Sequence, residues 1–431
     1  MSQARHYDMK DSGVEWIGEM PKDWNIVRFK RMHRGSNVGL SLDKDYWSTN
    51  EDDTVFYTAG LKSIHTSYKD IEPEMLTKEN DLLLARNGTP YVYFPSIGAI
   101  YTDHIIRVGI ENGYNKAFVR YCLQQSIANE VVDTVSIATW SVPIWNRQCL
   151  PHPSLAEQTA IAAYLDEKCA AIDAIIAEAK ATIEEYKAWK ASVIFEAVTK
   201  GLNPNAAMKD SGVEWIGEIP KDWGVERLKT MFSFGKGLPI TKEDLVEQGI
   251  PVISYGQIHA KFNTGVEVLP ELLRYVDAKW LKSNANSLVY EGDFIFADTS
   301  EDMEGCGNCV YVDTLGEGAQ LFAGYHTITF KPKCSRNNKF LAYLFKSDAW
   351  RTQLRSRVGG VKLFSISRRM LNLATVILPP TTEQEAIVAY LDKKCAAIDG
   401  IIAEKEALIS DLETYKKSLI FEVVTGKRRV C

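Results

Sequence analysis

The sequence predicts an α/β (α+β) chain built twice over: two mixed α/β domains, each followed by a long coiled-coil helix, related by an internal pseudo-twofold repeat. Three observations predict it. The stretch EQTAIAAYLDEKCAAIDAIIAEAKATIEEYKAWKASVIFEAVT, from Glu157 to Thr199, recurs without a gap from Glu383 to Thr425 as EQEAIVAYLDKKCAAIDGIIAEKEALISDLETYKKSLIFEVVT, an offset of 226 (383 minus 157). A Trp-rich lead-in, Met9 to Met32, recurs at Met208 to Met231, an offset of 199 (208 minus 9). Between lead-in and helix each half has short strand-like runs punctuated by Gly, Pro and Asn. Such agreement within one chain means duplication.

At 431 residues the chain exceeds one ordinary core, and 45% hydrophobic with 25% charged residues is a globular composition. It divides into a tail and first lead-in (1–24), a first α/β domain (25–153), a helix (154–200), a linker with the second lead-in (201–223), a second α/β domain (224–380) and a second helix with a basic tail (381–431). No apolar run approaches the roughly 18 residues of a membrane span and the start is polar, so a cytoplasmic protein without a membrane partner is expected.

The lead-ins place Trp16, Gly18, Pro21 and Trp24 opposite Trp215, Gly217, Pro220 and Trp223. They read as turn-rich segments with aromatic anchors. In the first domain, Thr-Val-Phe-Tyr at 54–57, Leu-Leu-Leu-Ala at 82–85, Tyr-Val-Tyr-Phe at 91–94 and Ile-Ile-Arg-Val at 105–108 are strand-like, with turns at Asn87-Gly88 and Asn112-Gly113 and a helix over 116–130. The second domain repeats the order with strands at 252–255, 293–297, 309–312 and 326–330 and a helix over 338–357. Proline-containing strand ends, Leu150-Pro151-His152-Pro153 and Ile377-Leu378-Pro379-Pro380, precede the long helices.

Leu165, Ile172, Ile176 and Ile183, with Leu391, Ile398, Ile402 and Ile409, fall on a seam of alternating four- and three-residue steps. That is the spacing of a coiled coil, kept for about five heptads, in helices each on the order of 60 Å long. Two such helices in one chain most simply pair with each other. Lys190 and Lys416 interrupt the seam at equivalent places.

The scaffold repeats closely and the domains do not. A shared structural demand therefore holds the scaffold while the domains do different jobs, such as reading two different half-sites.

The net charge of −6 excludes a chain that coats nucleic acid indiscriminately, but leaves room for a local basic face. From Lys331 to Arg369 eleven basic residues (Lys331, Lys333, Arg336, Lys339, Lys346, Arg351, Arg355, Arg357, Lys362, Arg368 and Arg369) stand against Asp348 alone, where a polyanion could dock. Eight cysteines show no framework spacing; Cys306 and Cys309 lack the second pair a zinc site needs, so no metal is expected. No Asn/Asp-Pro-Pro-Tyr/Phe aminomethylation motif, phosphate loop or convincing nuclease carboxylate cluster occurs; Asp298, Glu301, Asp302 and Glu304 read as a capped turn after a strand. Catalytic residues: none expected.

Pro153, Glu157, Gln158, Ile161, Tyr164, Leu165, Asp166, Lys168, Ile172 and Asp173, repeated as Pro379, Glu383, Gln384, Ile387, Tyr390, Leu391, Asp392, Lys394, Ile398 and Asp399, resemble the specificity (S) subunit of Type I restriction-modification systems. The Gly-Val-Glu-Trp-Ile-Gly-x-x-Pro-x-x-Trp lead-in is also like that family's. The resemblance spans nearly the whole chain. It implies a non-catalytic subunit whose two target-recognition domains each read one part of a bipartite site in double-stranded DNA. Antiparallel helices would separate the domains, set the spacing and dock two methyltransferase (M) subunits, with restriction (R) subunits completing an ATP-dependent endonuclease. No cofactor is then bound by this chain; S-adenosylmethionine and ATP/Mg belong on the partners. The competing classes are a stand-alone DNA-binding regulator with a coiled-coil dimer seam and an autonomous methyltransferase or nuclease, the latter disfavoured by the missing motifs.

Base edges are read by Arg, Lys, Asn or Gln, and phosphates by Arg, Lys, Ser and Thr. Candidates in the first domain are Arg86, Asn87 and Thr89 in ARNGT, then Thr139, Trp140, Asn146 and Arg147. In the second they are Tyr255, Gln257, His259 and Lys261 in SYGQIHAK, then Lys362, Arg368 and Arg369.

Overall fold

The computed structural model describes residues 8–60, 63–130, 138–316, 318–334, 338–359 and 363–430. They fall into two compact units, one of residues up to Lys180 together with those from Glu406 onward, the other of Ala181–Lys405. Each unit therefore holds one head, one lead-in, part of the helix Leu155–Lys200 and part of the helix Thr381–Val424.

In the first unit the lead-in folds as a hairpin, Met9–Asp11 on Glu19–Pro21. Its Trp24 is buried, and Trp16 donates its indole N–H to the Cys149 carbonyl at 3.1 Å. The head carries an antiparallel sheet in the order His33–Val38, Ile105–Ile110, Asp81–Ala85, Val92–Tyr93. A second sheet runs Ile100–Tyr101, Thr54–Tyr57, Ile64–Thr66, Trp47–Ser48, its first pair parallel. Asn25–Arg28 pairs with Cys149–His152 and ties the head to the helix that follows.

The second unit repeats this topology on a different sequence. Its hairpin is Met208–Asp210 on Glu218–Pro220. Its first sheet runs Phe232–Lys236, Thr327–Pro332, Phe294–Ala297, Cys309–Tyr311. Its second runs Leu288–Val289, Leu321–Ala323, Ile250–Ile253, Arg274–Val276, Leu245–Val246, one strand wider, again with one parallel pair. Gly224–Arg227 pairs with Thr375–Leu378.

Several expected elements differ in extent, and in three of them the local backbone shows how. The helix expected over 338–357 is two, Lys339–Lys346 and Asp348–Arg355. Ser347 between them is extended (ψ 149°) and its hydroxyl bonds back to the Leu344 carbonyl at 2.6 Å, which ends the first. The strand expected to reach Tyr255 stops at Ile253, because Ser254 and Gln257 form a capping box that starts the one-turn helix Tyr255–Ile258. His326, expected as a strand residue, lies before Thr327–Pro332 with φ 54°.

The motif residues that open the long helices have matching structural work. Gln158 donates to the Pro153 carbonyl at 3.0 Å and Gln384 to Pro379 at 2.8 Å. Asp166 accepts the Tyr121 hydroxyl at 2.7 Å, and Asp392 accepts that of Tyr343 at 2.6 Å, each bond locking a head helix to a long helix. The long helices pack along the apolar seam: Leu165, Ile172 and Ile176 are buried with Leu419 and Val423 in the first unit, and Leu391 with Ile194 and Val198 in the second. Ile183 and Ile398 are buried, whereas Ile402 and Ile409 are half-buried. The two seam lysines find acids on the facing helix. Lys416 bonds both Asp173 oxygens at 2.6 Å in the first unit, and Lys190 reaches Asp399 Oδ1 at 2.7 Å in the second. The sums 416 + 173 and 190 + 399 are both 589, so in each unit the helix segments run antiparallel with one register.

Candidate nucleic-acid interface

At the end of the first sheet, each head closes its two central strands with the same backbone bonds. In the first head Arg86 N–H donates to the His104 carbonyl at 2.8 Å, and Trp140 N–H donates to the Arg86 carbonyl at 2.7 Å. In the second, Asp298 N–H donates to His326 at 3.1 Å and Ile366 N–H to Asp298 at 2.8 Å. Asn87 bridges to Thr139 as Thr299 pairs with Ser365. Both rims carry a histidine with an aspartate beside it, Asp103 at 3.9 Å from His104 and Asp298 at 3.0 Å from His326, yet at the matched frame positions Arg86 and Asn87 stand where the second head has Asp298 and Thr299.

In the first rim, His104 Nδ1 lies 3.0 Å from Asn87 Oδ1, an oxygen that only accepts, so Nδ1 carries the proton. Asn87 in turn reaches Thr139 Oγ1 at 3.5 Å, and the exposed Arg86 donates to the Asp103 carbonyl at 3.2 Å. Thr89 is exposed nearby in sequence. Arg86, Asn87, His104 and Thr139 therefore form one polar rim.

In the second rim, His326 Nδ1 sits 3.0 Å from Asp298 Oδ1, which also accepts the Thr299 hydroxyl at 2.8 Å. His326 is the one non-glycine residue with positive φ among the described residues, a costly backbone for a side chain of its size and one that concentrates at functional sites. Tyr255 stands edge-on to it with ring centroids 5.5 Å apart, and Tyr325 at 4.1 Å. His259 bonds the Thr299 carbonyl through Nε2 at 2.9 Å and Asn308 through Nδ1 at 3.1 Å. Tyr255 and His259 thus join Asp298, Thr299 and His326.

Other candidates are placed elsewhere or committed internally. Trp140 is buried, its indole N–H on the Gly88 carbonyl at 2.6 Å. Asn146 Oδ1 lies 2.7 Å from His33 Nε2, and Arg147 is ion-paired with Glu130. Gln257 accepts from Ser254 N–H at 3.1 Å in the capping box. Lys261, Arg368 and Arg369 are exposed, the two arginines opening the helix Arg368–Leu373; Lys362 lies outside the described residues.

The basic stretch is not one cationic face. Arg351 Nε donates to the Phe345 carbonyl at 3.0 Å, Arg355 pairs with Asp348 at 2.7 Å, and Arg357 lies over the Trp215 ring. Lys346 is turned inward onto the Thr264 carbonyl at 2.9 Å; burial and the neighbouring Lys190 push its pKa down to about 8. Cys306 and Cys309 are buried free thiols, the second pushed up to about 12 by burial.

Each unit also has a cleft where its head meets the long helices. One of about 790 Å³ is lined by Tyr121, Asp166, Cys169, Asp173 and Lys416; one of about 340 Å³ by the equivalent Tyr343, Asp392, Cys395, Asp399 and Lys190. Burial first, then the hydrogen bond to the aspartate, raises both tyrosine pKa values.

Sequence reasoning missed His104, Asp298 and His326 as rim residues. The signal was present in the strand equivalences. The offset between copies grows from 199 at the lead-ins to 212 at the central strand (293 minus 81), 222 at the histidines (326 minus 104) and 226 at the helices, so an ungapped comparison loses the heads.

Residues 220–410 match the Type I restriction modification DNA specificity domain. The chain is 24% identical over 425 residues to the Type I restriction enzyme MjaVIII specificity subunit of Methanocaldococcus jannaschii, covering 95% of this chain and 94% of that one. It is 24% identical to the putative type I restriction enzyme MjaX specificity subunit of the same organism, over 96% of each. In fold it is similar to a chain solved in work on complex assembly and conformational transition of the type I R-M system, with a TM-score of 0.67 at 13% identity, covering 95% of this chain and 99% of that one. The family match, the end-to-end relatives and the twice-built fold agree in their direction: over nearly its whole length this chain is similar to the specificity subunits of Type I restriction-modification systems.

Proposed function

We propose that this chain reads a bipartite sequence in double-stranded DNA, one half-site per head, and contributes recognition and no catalysis to a Type I complex in the cytoplasm. The observation that carries the reading is the pair of rims, with the same backbone bonds and histidine and different neighbouring side chains. A common frame with exchanged chemistry is what two half-sites of different sequence require.

The partners proposed are two copies of a methyltransferase subunit and, beyond them, restriction subunits. Two equivalent surfaces suit two identical partners. The equivalent clefts, each flanked by a tyrosine–aspartate bond and a lysine–aspartate pair, supply such surfaces. S-adenosylmethionine and ATP/Mg belong to those partners in this reading, and the helices act as the ruler between half-sites.

Adenine methylation mapped across DNA from cells expressing this chain with the methyltransferase subunit of its own system, and each protein alone, tests the proposal. A bipartite motif only when both are present is the expected result. Methylation by this chain alone would place catalysis here and overturn the division of labour. Tight specific binding with self-association and no methylation would favour the stand-alone regulator.

A further inference from the structure

Resting on that reading, we infer that positions 86/87 in the first head and 298/299 in the second decide which bases each head accepts, and that the two half-sites are of opposite hydrogen-bonding polarity. The first head presents donors to a guanine. The second presents a carboxylate to a base carrying an exocyclic amine, cytosine foremost.

Two backbone bonds in each head, matched one to one, hold Arg86 and Asp298 in the same place on the same frame. A change of side chain there alters the chemistry offered without moving the strand. Arg86 is exposed; its Nη1 donates to the Asp103 carbonyl at 3.2 Å, and the remaining donors of its planar fork are the complement of guanine O6 and N7 in the major groove. Asp298 can only accept while ionised, and cytosine N4 offers a donor to it. Its Oδ1 is taken by His326 and Thr299, so Oδ2 is the oxygen left for a base.

The histidines are the constant residue type, but they hold different frame positions. His104 Nδ1 meets Asn87, the counterpart of Thr299, whereas His326 Nδ1 meets Asp298, the counterpart of Arg86. His326 does this from a left-handed backbone with Tyr255 and Tyr325 packed against its ring.

The test is the methylated motif of the assembled complex carrying Arg86→Gln or Asp298→Asn. Glutamine and asparagine both complement adenine N6 and N7. Arg86→Gln is expected to lower the preference for guanine over adenine about 10- to 100-fold at one position of one half-site. Asp298→Asn should do the same to cytosine or its equivalent in the other half-site, and each variant should leave the opposite half unchanged. Selection of bound sequences from a randomised duplex pool, with the wild-type complex alongside, reads the same preference if a variant no longer supports methylation. Unchanged motifs, both variants altering the same half-site, or a uniform loss across all sequences would each overturn the inference. A wild-type complex with no bipartite motif would instead bring down the proposed function itself.

Discussion

Asp81 and Asp293 occupy the same turn before the central strand, each accepting a backbone N–H three residues back, at 2.7 Å from Lys78 and 3.0 Å from Tyr290. Asp81 has Arg107 Nε at 3.7 Å, whereas the residue equivalent to Arg107 in the second head is the buried Thr329, whose hydroxyl has no hydrogen-bond partner among the described residues. Asp293 is 4% exposed without such a guanidinium, and burial raises its pKa from 3.8 to about 6 against the pull of the Tyr290 N–H and Lys331. An acid whose pKa is raised by folding holds its proton more tightly in the folded chain. The second head therefore gains stability from this group as pH falls from about 6 toward 4, and above about 6 its charge is a constant cost. Asp293→Asn keeps the acceptor and removes the charge. It is expected to stabilise the chain at pH 7 by about 1–3 kcal/mol and to leave the difference from wild type near zero at pH 4, read by thermal unfolding at both pH values. A variant as unstable as wild type at pH 7 would refute the argument.

Between the long helices, the pairs Lys416–Asp173 and Lys190–Asp399 do the work of register. An apolar seam alone tolerates slippage by a heptad, whereas a lysine on the seam is satisfied only where an acid faces it. Reversing one pair, Lys190→Asp with Asp399→Lys, should recover most of what either single change loses, with a coupling on the order of 0.5–1 kcal/mol in a double-mutant cycle read by urea denaturation. Zero coupling would leave the register to the seam alone. The helices and lead-ins were legible in sequence because their two copies align without gaps and their apolar spacing is long and regular. Their lysines were legible only as interruptions, since the acids that answer them lie 209 and 243 residues away. The heads were harder. Strand existence followed from β-branched and aromatic runs, but strand order, the break at Ser347 and the two histidine rims depend on pairings between segments whose spacing differs between copies. Trp140 and Arg147 had the residue types of DNA contacts, and the fold uses them for a buried indole bond and an ion pair.

For the whole molecule, the ruler reading predicts that one heptad inserted into both Leu155–Lys200 and Thr381–Val424, about 10 Å of added helix, changes the gap between the methylated half-sites and leaves both half-site sequences as they were. An unaltered gap would refute it. The partition into units also bears on how the chain is made. The second unit is continuous from Ala181 to Lys405, but the first is closed by residues from Glu406 onward, with Leu419 and Val423 packing among Leu165, Ile172 and Ile176 and Lys427 reaching the Ile17 carbonyl. A ribosome adding roughly 5–20 residues per second makes the remaining stretch, about 240 residues, in something like 10–50 s. Throughout that interval the nascent chain carries an apolar helix face whose partner has not yet been translated. Its exposure, not the stability of the finished protein, sets when a chaperone would be needed during synthesis.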